Sequence, residues 1–277
     1  MRFLITGANG QLADEFIRVL PVKDVLALKR EELDVSDLMA VEKCVGSVNP
    51  DVILNCAAYN LVDKSEDDFE TAVKVNAQGV KNLAFVSTKS NAFLVHYSTD
   101  YVFNGLKEDL YTEDDEPNPI NNYGKSKLLG ERYLQEETDN FLLCRVSWVF
   151  GNGTQNLLSK LLQWADKNRV IRVVSDQISI PTYTNDIARI TLSALGKGLR
   201  GIYHLTNSGY ASRYEIARYF FEKLGKKNLI LPVSSDYFPC SAKRPYLSAM
   251  SNNKISKELG VDIPHWRDGI NRYVEDY

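Results

Sequence analysis

The chain has 277 residues, of which 44% are hydrophobic and 25% charged, the proportions of a globular protein with a substantial core. Its net charge of −3 gives no electrostatic case for nucleic acid or an anionic membrane surface. No apolar run approaches the roughly 18 residues that crossing a bilayer requires.

Four scattered cysteines, Cys44, Cys56, Cys144 and Cys240, lack Cys-x-x-Cys spacing and read as buried thiols in a reducing compartment. Residues 1–20 do not fit a signal peptide, so a cytoplasmic location is expected. An apolar run at 3–5 has strand length, and Leu12, Phe16, Val19 and Leu20 then share one helical face. Gly7, Gly10 and Ala13 stand between and just inside them. A strand, a glycine turn and a helix N-terminus gather free N–H groups at one point, an anion site suited to a dinucleotide pyrophosphate. Gly7 permits the turn, Gly10 removes a Cβ from the phosphate's path, and Ala13 sits where helix and strand pack closely.

Residues 25–28 read as a second strand ending in Lys29 and Arg30. A basic residue there accommodates the 2′-phosphate of NADP, whereas an acidic one binds the 2′-hydroxyl of NAD. Glu31 and Glu32 follow at once, so both cofactors stay open. Residues 37–45 read as a helix. A strand at 51–56 ends in the small Asn55-Cys56-Ala57-Ala58, at the sheet edge where ligands of open parallel sheets lie. Residues 65–82 read as one long helix with Phe69, Ala72, Val73 and Val80 inward. A strand at 93–97 runs into Ser98-Thr99-Asp100-Tyr101-Val102-Phe103, and 105–122 is a loop punctuated by Pro117 and Pro119. A helix at 123–136 and a buried strand at 141–149 complete the alternation, which predicts an α/β fold with a doubly wound parallel sheet.

Beyond Gly151 the pattern gives a helix at 157–167, a strand at 170–174, a helix within 181–195 and a strand at 201–205. A helix at 212–224 is N-capped by Ser212, and a last helix spans about 266–274. Residues 1–150 plus about 183–205 are expected to form a dinucleotide-binding domain. Residues of about 151–182 plus 206–277 are expected to form a smaller α/β substrate-binding lobe.

Tyr123 and Lys127 stand one turn apart on one helix face. A neighbouring ammonium lowers a phenol's pKa from about 10 towards the range useful for proton transfer. Thr99, just after a strand, is placed to orient the reacting oxygen. The isolated His96, His204 and His265 read as packed or solvated, and Trp164 as core. The acidic run 113–116 reads as a solvated loop placed to act as a lid. Asp63, Glu66, Asp67 and Asp68 read as a polar helix start rather than a cation site.

The glycine pattern, Asn55 to Ala58, Ser98-Thr99-Asp100 and Tyr123-x-x-x-Lys127 together resemble the extended short-chain dehydrogenase/reductase superfamily. Within it the chain is similar to the dTDP-4-dehydrorhamnose reductase family. That similarity rests on Gly7-Ala8-Asn9-Gly10-Gln11-Leu12, on residues 55–66 and 98–105, on Tyr123-Gly124-Lys125-Ser126-Lys127, and on residues 145–151, 176–182 and 244–248. The resemblance implies a Rossmann-type fold and reduction of a nucleotide-sugar ketone at C4 by NADPH, with NADH left open. Tyr123 would be the proton donor, Lys127 would hold the nicotinamide ribose and tune Tyr123, and Thr99 would complete the triad. Cofactor contacts are implied for Gly7, Asn9, Gly10, Gln11, Leu12, Lys29, Arg30, Asp34, Val35, Ala57, Ala58, Tyr59 and Asn76, besides Tyr123 and Lys127. Substrate contacts are implied for Asn60, Val62, Thr99, Asp100, Tyr101, Trp148 and Arg244. Mg2+ and a homodimer occur among relatives, with no ligands or interface assignable here.

Three departures from the family pattern stand out. Ala13 replaces the third glycine, Asn60 stands where threonine is common, and Ser179 replaces a usual glycine, which puts that loop's backbone in question. The resemblance also leaves open a nucleotide-sugar epimerase or dehydratase, which recycles its hydride. A non-catalytic regulatory subunit like the methionine adenosyltransferase beta subunit is the third alternative.

Overall fold

The computed structural model describes residues 1–276. Its centre is a six-stranded, all-parallel sheet. Five strands are β1 (Phe3–Thr6), β2 (Val25–Leu28), β3 (Val52–Asn55), β4 (Phe93–Thr99) and β5 (Phe141–Val146), and the sixth is Gly201–His204. The order across the sheet is sixth strand, β5, β4, β3, β1, β2. Helices cover both faces because the strands are apolar on both. Phe3, Ile5, Leu54 and Val95 pack on one side with Phe16 and Ile187, and Leu4, Ile53 and Leu94 on the other with Val41, Leu83 and Leu134. Ile5 lies opposite Ala27 on one neighbour and Leu54 on the other. The chain therefore leaves β1 in both directions across the sheet, and ligands of such sheets bind where it does so, beyond the carboxyl ends of β1 and β3.

A separate apolar cluster gathers Phe150, Leu158, Leu161, Ile171, Phe220, Trp266 and Ile270. The parallel pair Val170–Val174 and Leu229–Val233 and the helix Arg213–Lys223 belong to this part. Ser212 and Glu215 cap that helix reciprocally. No helix is long and apolar enough to cross a membrane among the described residues.

Several expectations change. The helix expected over 65–82 is three pieces, Lys64–Asp67, Phe69–Val73 and Gly79–Ser90, the last two joined by a π-helical turn, Lys74–Gln78. Phe69 is exposed there, because Asp68 caps a new helix start immediately before it. The strand expected at 141–149 breaks after Val146, where Trp148 adopts a left-handed φ of 38°. Trp164 is 41% exposed rather than core. Of the cysteines only Cys144 is buried; Cys44 and Cys56 are half-buried and Cys240 is exposed. The acidic run is pinned rather than free: Glu113 accepts the His204 backbone N–H at 2.7 Å, and Asp115 pairs with Lys107 at 2.6 Å.

Candidate active site

At the carboxyl end of β1 the chain turns through Gly7, whose φ is +68°. A Cβ on Gly7 would lie 2.7 Å from the backbone N and Cα of Ala57, so only glycine lets the β1 and β3 loops touch. The helix α1 (Gln11–Val19) then starts from Gly10 without a side-chain cap. Its first N–H groups are left for a ligand, in contrast with the helices capped by Asp37, Asn121, Asn156 and Ser212. This uncapped, glycine-walled end fits a dinucleotide pyrophosphate. It opens on a groove of about 460 Å³ lined by Gly7, Asn9, Gly10, Gln11, Arg30, Asp34, Val35, Ala57, Ala58, Tyr59 and Asn60.

Four residues expected at the cofactor have side chains off the groove wall: Leu12, Lys29, Asn76 and Lys127. The Leu12 side chain packs against the core beneath α1, while its backbone N–H is among the first of that helix. Lys29 is not on the groove wall, and its backbone N–H is bound by Glu32 at 2.9 Å. Asn76 lies behind the wall, where its side chain bonds both the N–H and the C=O of Tyr59 and the Ser126 hydroxyl. The π-helical turn brings it there, and its backbone carbonyl oxygen seats against Gly130, where a Cβ would collide with it.

A second cavity of about 380 Å³ is lined by Asn60, Val62, Ser98, Thr99, Asp100, Tyr101, Tyr123 and Trp148, with Lys160 and Arg213 also on its wall. Gln11, Asn60 and Gln155 line both spaces, so the two form one cleft. Tyr123 reaches it because Asn121 caps the helix Asn122–Glu137 and Gly124 presses against the Tyr101 carbonyl, leaving no room for a Cβ. Tyr101 and Tyr123 meet edge to face at 6.0 Å. Arg244 does not line this cavity. It borders a neighbouring groove and is held by Asp63 through two contacts, 2.6 and 3.1 Å.

The electrostatics differ from the expected picture. Lys127 is buried, and its Nζ donates to the Tyr97 carbonyl oxygen at 2.6 Å, with His96 Nε2 3.4 Å away. Burial pulls the ammonium down to about 8, with Glu131 one turn on opposing that shift. The expected lowering of Tyr123 by Lys127 is absent. Burial instead pushes the phenol up, the Thr99 hydroxyl pulls it back, and the Asp100 charge adds to the rise. His96 is packed, with Nδ1 3.0 Å from Asn55 Nδ2, and burial drives it well below the usual histidine range.

Asp100 is on the cavity wall, yet both oxygens are occupied by hydroxyls of Thr99, Ser179 and Ser248. Ser179 thereby explains its place: it lies in a regular strand, Ile178–Ser179, fully buried, and what it adds is a hydroxyl rather than a backbone change. The Trp148 indole N–H is buried without a partner among the described residues, and the Arg213 guanidinium stacks over its ring at 4.3 Å. Neither Arg213 nor Lys160 has a carboxylate within ion-pair distance among the described residues. Sequence reading gave no role to Ser147 and Ser248, although both lie in the segments that carry the resemblance, and it missed Lys160 and Arg213, cations without a local motif that only the fold brings to the cavity wall. Among the described residues, no three His, Cys, Asp or Glu side chains come together to hold a metal, so Mg2+ has no ligand set.

Comparison with known proteins identifies the family. The RmlD substrate binding domain family matches residues 1–277. The spore coat polysaccharide biosynthesis protein SpsK of Bacillus subtilis is 38% identical, over 99% of this chain and 97% of its own. The dTDP-4-dehydrorhamnose reductase of Sinorhizobium fredii is 36% identical, over 99% and 97%. The solved structure of dTDP-4-dehydrorhamnose reductase from Bacillus anthracis in complex with NADP superposes with a TM-score of 0.96 at 34% identity, covering 100% of this chain and 99% of that one. With a matching family model over its whole length, relatives of more than 30% identity covered almost end to end and a superposable solved structure, the chain belongs to the RmlD family of dTDP-4-dehydrorhamnose reductases.

Proposed function

We propose that the chain reduces the C4 ketone of dTDP-4-dehydro-L-rhamnose to the alcohol of dTDP-L-rhamnose, with NADPH as the cofactor. The observation that carries this reading is the single cleft in which the Tyr123 and Thr99 wall meets the glycine-walled groove. Gly7, Gly10 and the uncapped start of α1 would hold the pyrophosphate. Arg30, on the groove wall with Asp34 4.0 Å away, favours the 2′-phosphate of NADPH, and NADH remains the weaker candidate. When bound, the nicotinamide supplies the hydride that ends on the sugar carbon.

The chain's own residues supply the proton and the orientation. Burial keeps Tyr123 protonated through neutral pH, the form a proton donor to a developing alkoxide needs. Thr99 stands with Tyr123 on the cavity wall, and the Lys127 ammonium places a positive charge behind β4 at neutral pH. Arg213 and Lys160, free of carboxylate partners among the described residues, suit the diphosphate of the substrate. In this reading residues 1–150 with about 183–205 carry the dinucleotide, and the remainder carries the sugar nucleotide.

The test is a coupled assay that generates dTDP-4-dehydro-L-rhamnose and follows NADPH absorbance, with NADH run in parallel. One NADPH consumed per ketosugar is expected, and turnover in Tyr123→Phe should fall by about a hundredfold or more. A Tyr123→Phe protein that reduces the ketosugar at the wild-type rate would falsify the assignment.

A further inference from the structure

We infer that His96 is a positioning residue for Lys127: the fold holds its ring in the tautomer that presents Nε2–H to Lys127 Nζ, and the hydrogen bonds between them close only when Lys127 is the neutral amine. The inference deepens the ketosugar reduction proposed above and rests on that reading for its kinetic readout alone.

Thr6, Asn55 and His96 are neighbours in register across β1, β3 and β4. Ala57 fixes the direction of their hydrogen bonds, because its backbone N–H can only donate and lies 3.2 Å from Asn55 Oδ1. The Thr6 hydroxyl donates to the same oxygen at 2.7 Å, which fills both of its lone pairs. Turning the Asn55 amide over would set its NH2 group against the Ala57 N–H, donor against donor. Asn55 Nδ2 therefore faces His96 Nδ1 at 3.0 Å, and Nδ1 accepts. Burial and the neighbouring Lys127 charge keep the ring neutral, so its one proton is on Nε2.

Nε2 lies 3.4 Å from Lys127 Nζ, and Nζ donates one proton to the Tyr97 carbonyl oxygen at 2.6 Å. An amine has two protons and one lone pair: one proton serves Tyr97, and the lone pair takes the Nε2 proton. An ammonium has three protons and no lone pair, so it meets the Nε2–H with nothing to accept it. Asn55, His96 and Lys127 are each at most 1% exposed, so bulk solvent does not relieve that conflict. No ion pair relieves it either. Lys127 has no carboxylate within ion-pair distance among the described residues, and Glu131, one turn on, is held by Arg145 at 2.7 to 3.3 Å. On β4 the other titratable neighbour is Tyr97, whose phenol meets Thr191 Oγ1 at 2.9 Å with Cys56 and Cys144 beside it. At neutral pH the ammonium is held against this opposition, and it gives way to the amine from about 8.

The chain has three histidines, so 15N-labelled rings can be assigned by His204→Asn and His265→Asn. Long-range 1H–15N NMR should show His96 unprotonated at Nδ1 and protonated at Nε2 from about pH 6 to about pH 9. A proton on Nδ1, or a charged ring at the acid end, would overturn the inference. Asn55→Asp replaces the donor facing Nδ1 by an acceptor and should draw a proton onto Nδ1; an unprotonated Nδ1 in that variant also refutes it. His96→Gln offers a side-chain oxygen to the ammonium. The Lys127 midpoint, followed by 13Cε NMR and assigned by difference against Lys127→Met, should then rise by about one pH unit or more. The alkaline limb of kcat for the ketosugar should move up with it. A kcat lowered alike at every pH, with the Lys127 midpoint unmoved, would make His96 a packing residue only and end the proposal. Should His96→Gln fail to fold, the wild-type tautomer and Asn55→Asp decide. A wild-type protein that turns over no ketosugar removes the proposed reaction, while the NMR readouts still decide the role of His96.

Discussion

The Lys127 ammonium is bonded to the Tyr97 carbonyl oxygen at 2.6 Å, on the strand that ends at Thr99, and not to the Tyr123 phenol one turn earlier on its own helix. The buried charge thus tethers the helix Asn122–Glu137 to β4. Burial holds Lys127 at about 8 in the folded protein, against 10.5 for a free lysine. Between those values the unfolded chain binds the extra proton, so this group's contribution to stability rises with pH, and below 8 its buried charge is a cost. From pH 8 to 10.5 the stability of the wild type relative to Lys127→Met should therefore rise by about 3 kcal/mol. Urea unfolding of the two proteins across that range measures it; a constant difference would refute the assignment.

Two basic residues follow β2, and only one reaches the groove. Arg30→Ala should raise the KM for NADPH about tenfold while leaving that for NADH within about twofold, the scale of one lost charge-assisted hydrogen bond. Lys29→Ala should change neither, because Lys29 stands off the groove wall. Steady-state kinetics with both cofactors separates the two residues, and equal effects of Arg30→Ala on NADPH and NADH would remove the 2′-phosphate role.

Arg213 and Lys160 face the cavity that Trp148 lines. Calorimetric titration with dTDP should show affinity about tenfold lower in Arg213→Ala and in Lys160→Ala, again the scale of one charge-assisted contact each. Thymidine, without phosphates, should bind all three proteins alike. Equal losses for thymidine would place these side chains on the base or on the fold instead.

His204 is fully buried, 3.5 Å from Arg145 Nη1, and burial together with that positive charge lowers it to about 3. It folds neutral and becomes charged only in the unfolded chain as pH drops below 6.5. The stability it contributes is present above 6.5 and is lost as pH falls towards 3, at about 1.4 kcal/mol per pH unit where only the unfolded form is protonated. His204→Asn should flatten the acid limb of stability measured by urea unfolding at successive pH values. An unchanged slope would sink this account.

The fold was legible because the strands announce themselves: short apolar runs between glycines, with helical patterns in between, leave little choice but a doubly wound sheet. Gly7, Thr99 and Tyr123 were legible for a related reason, since each sits at a strand end or helix start that local pattern locates. Lys127 was placed on the correct helix face, but its direction depended on a backbone carbonyl from another strand, which helical spacing does not encode. The hydroxyl cluster around Asp100 was not legible because Ser147, Ser179 and Ser248 lie in three separate segments that only the fold joins. Trp164 shows the converse failure, an apolar stripe wider than the surface available to cover it.

The seating of the Asn76 carbonyl against Gly130 has a mechanical meaning. It is a detent: the helix carrying Tyr123 cannot slide or roll past the π-helical turn without the carbonyl leaving its notch. Asn76 also grips Tyr59 at the groove rim through both backbone groups. A disturbance of that rim by an arriving ligand would be passed to Tyr123 as displacement of a body rather than absorbed by a yielding loop. The cost is intolerance at one position, since even a methyl group on Gly130 would force the two halves of the cleft out of step.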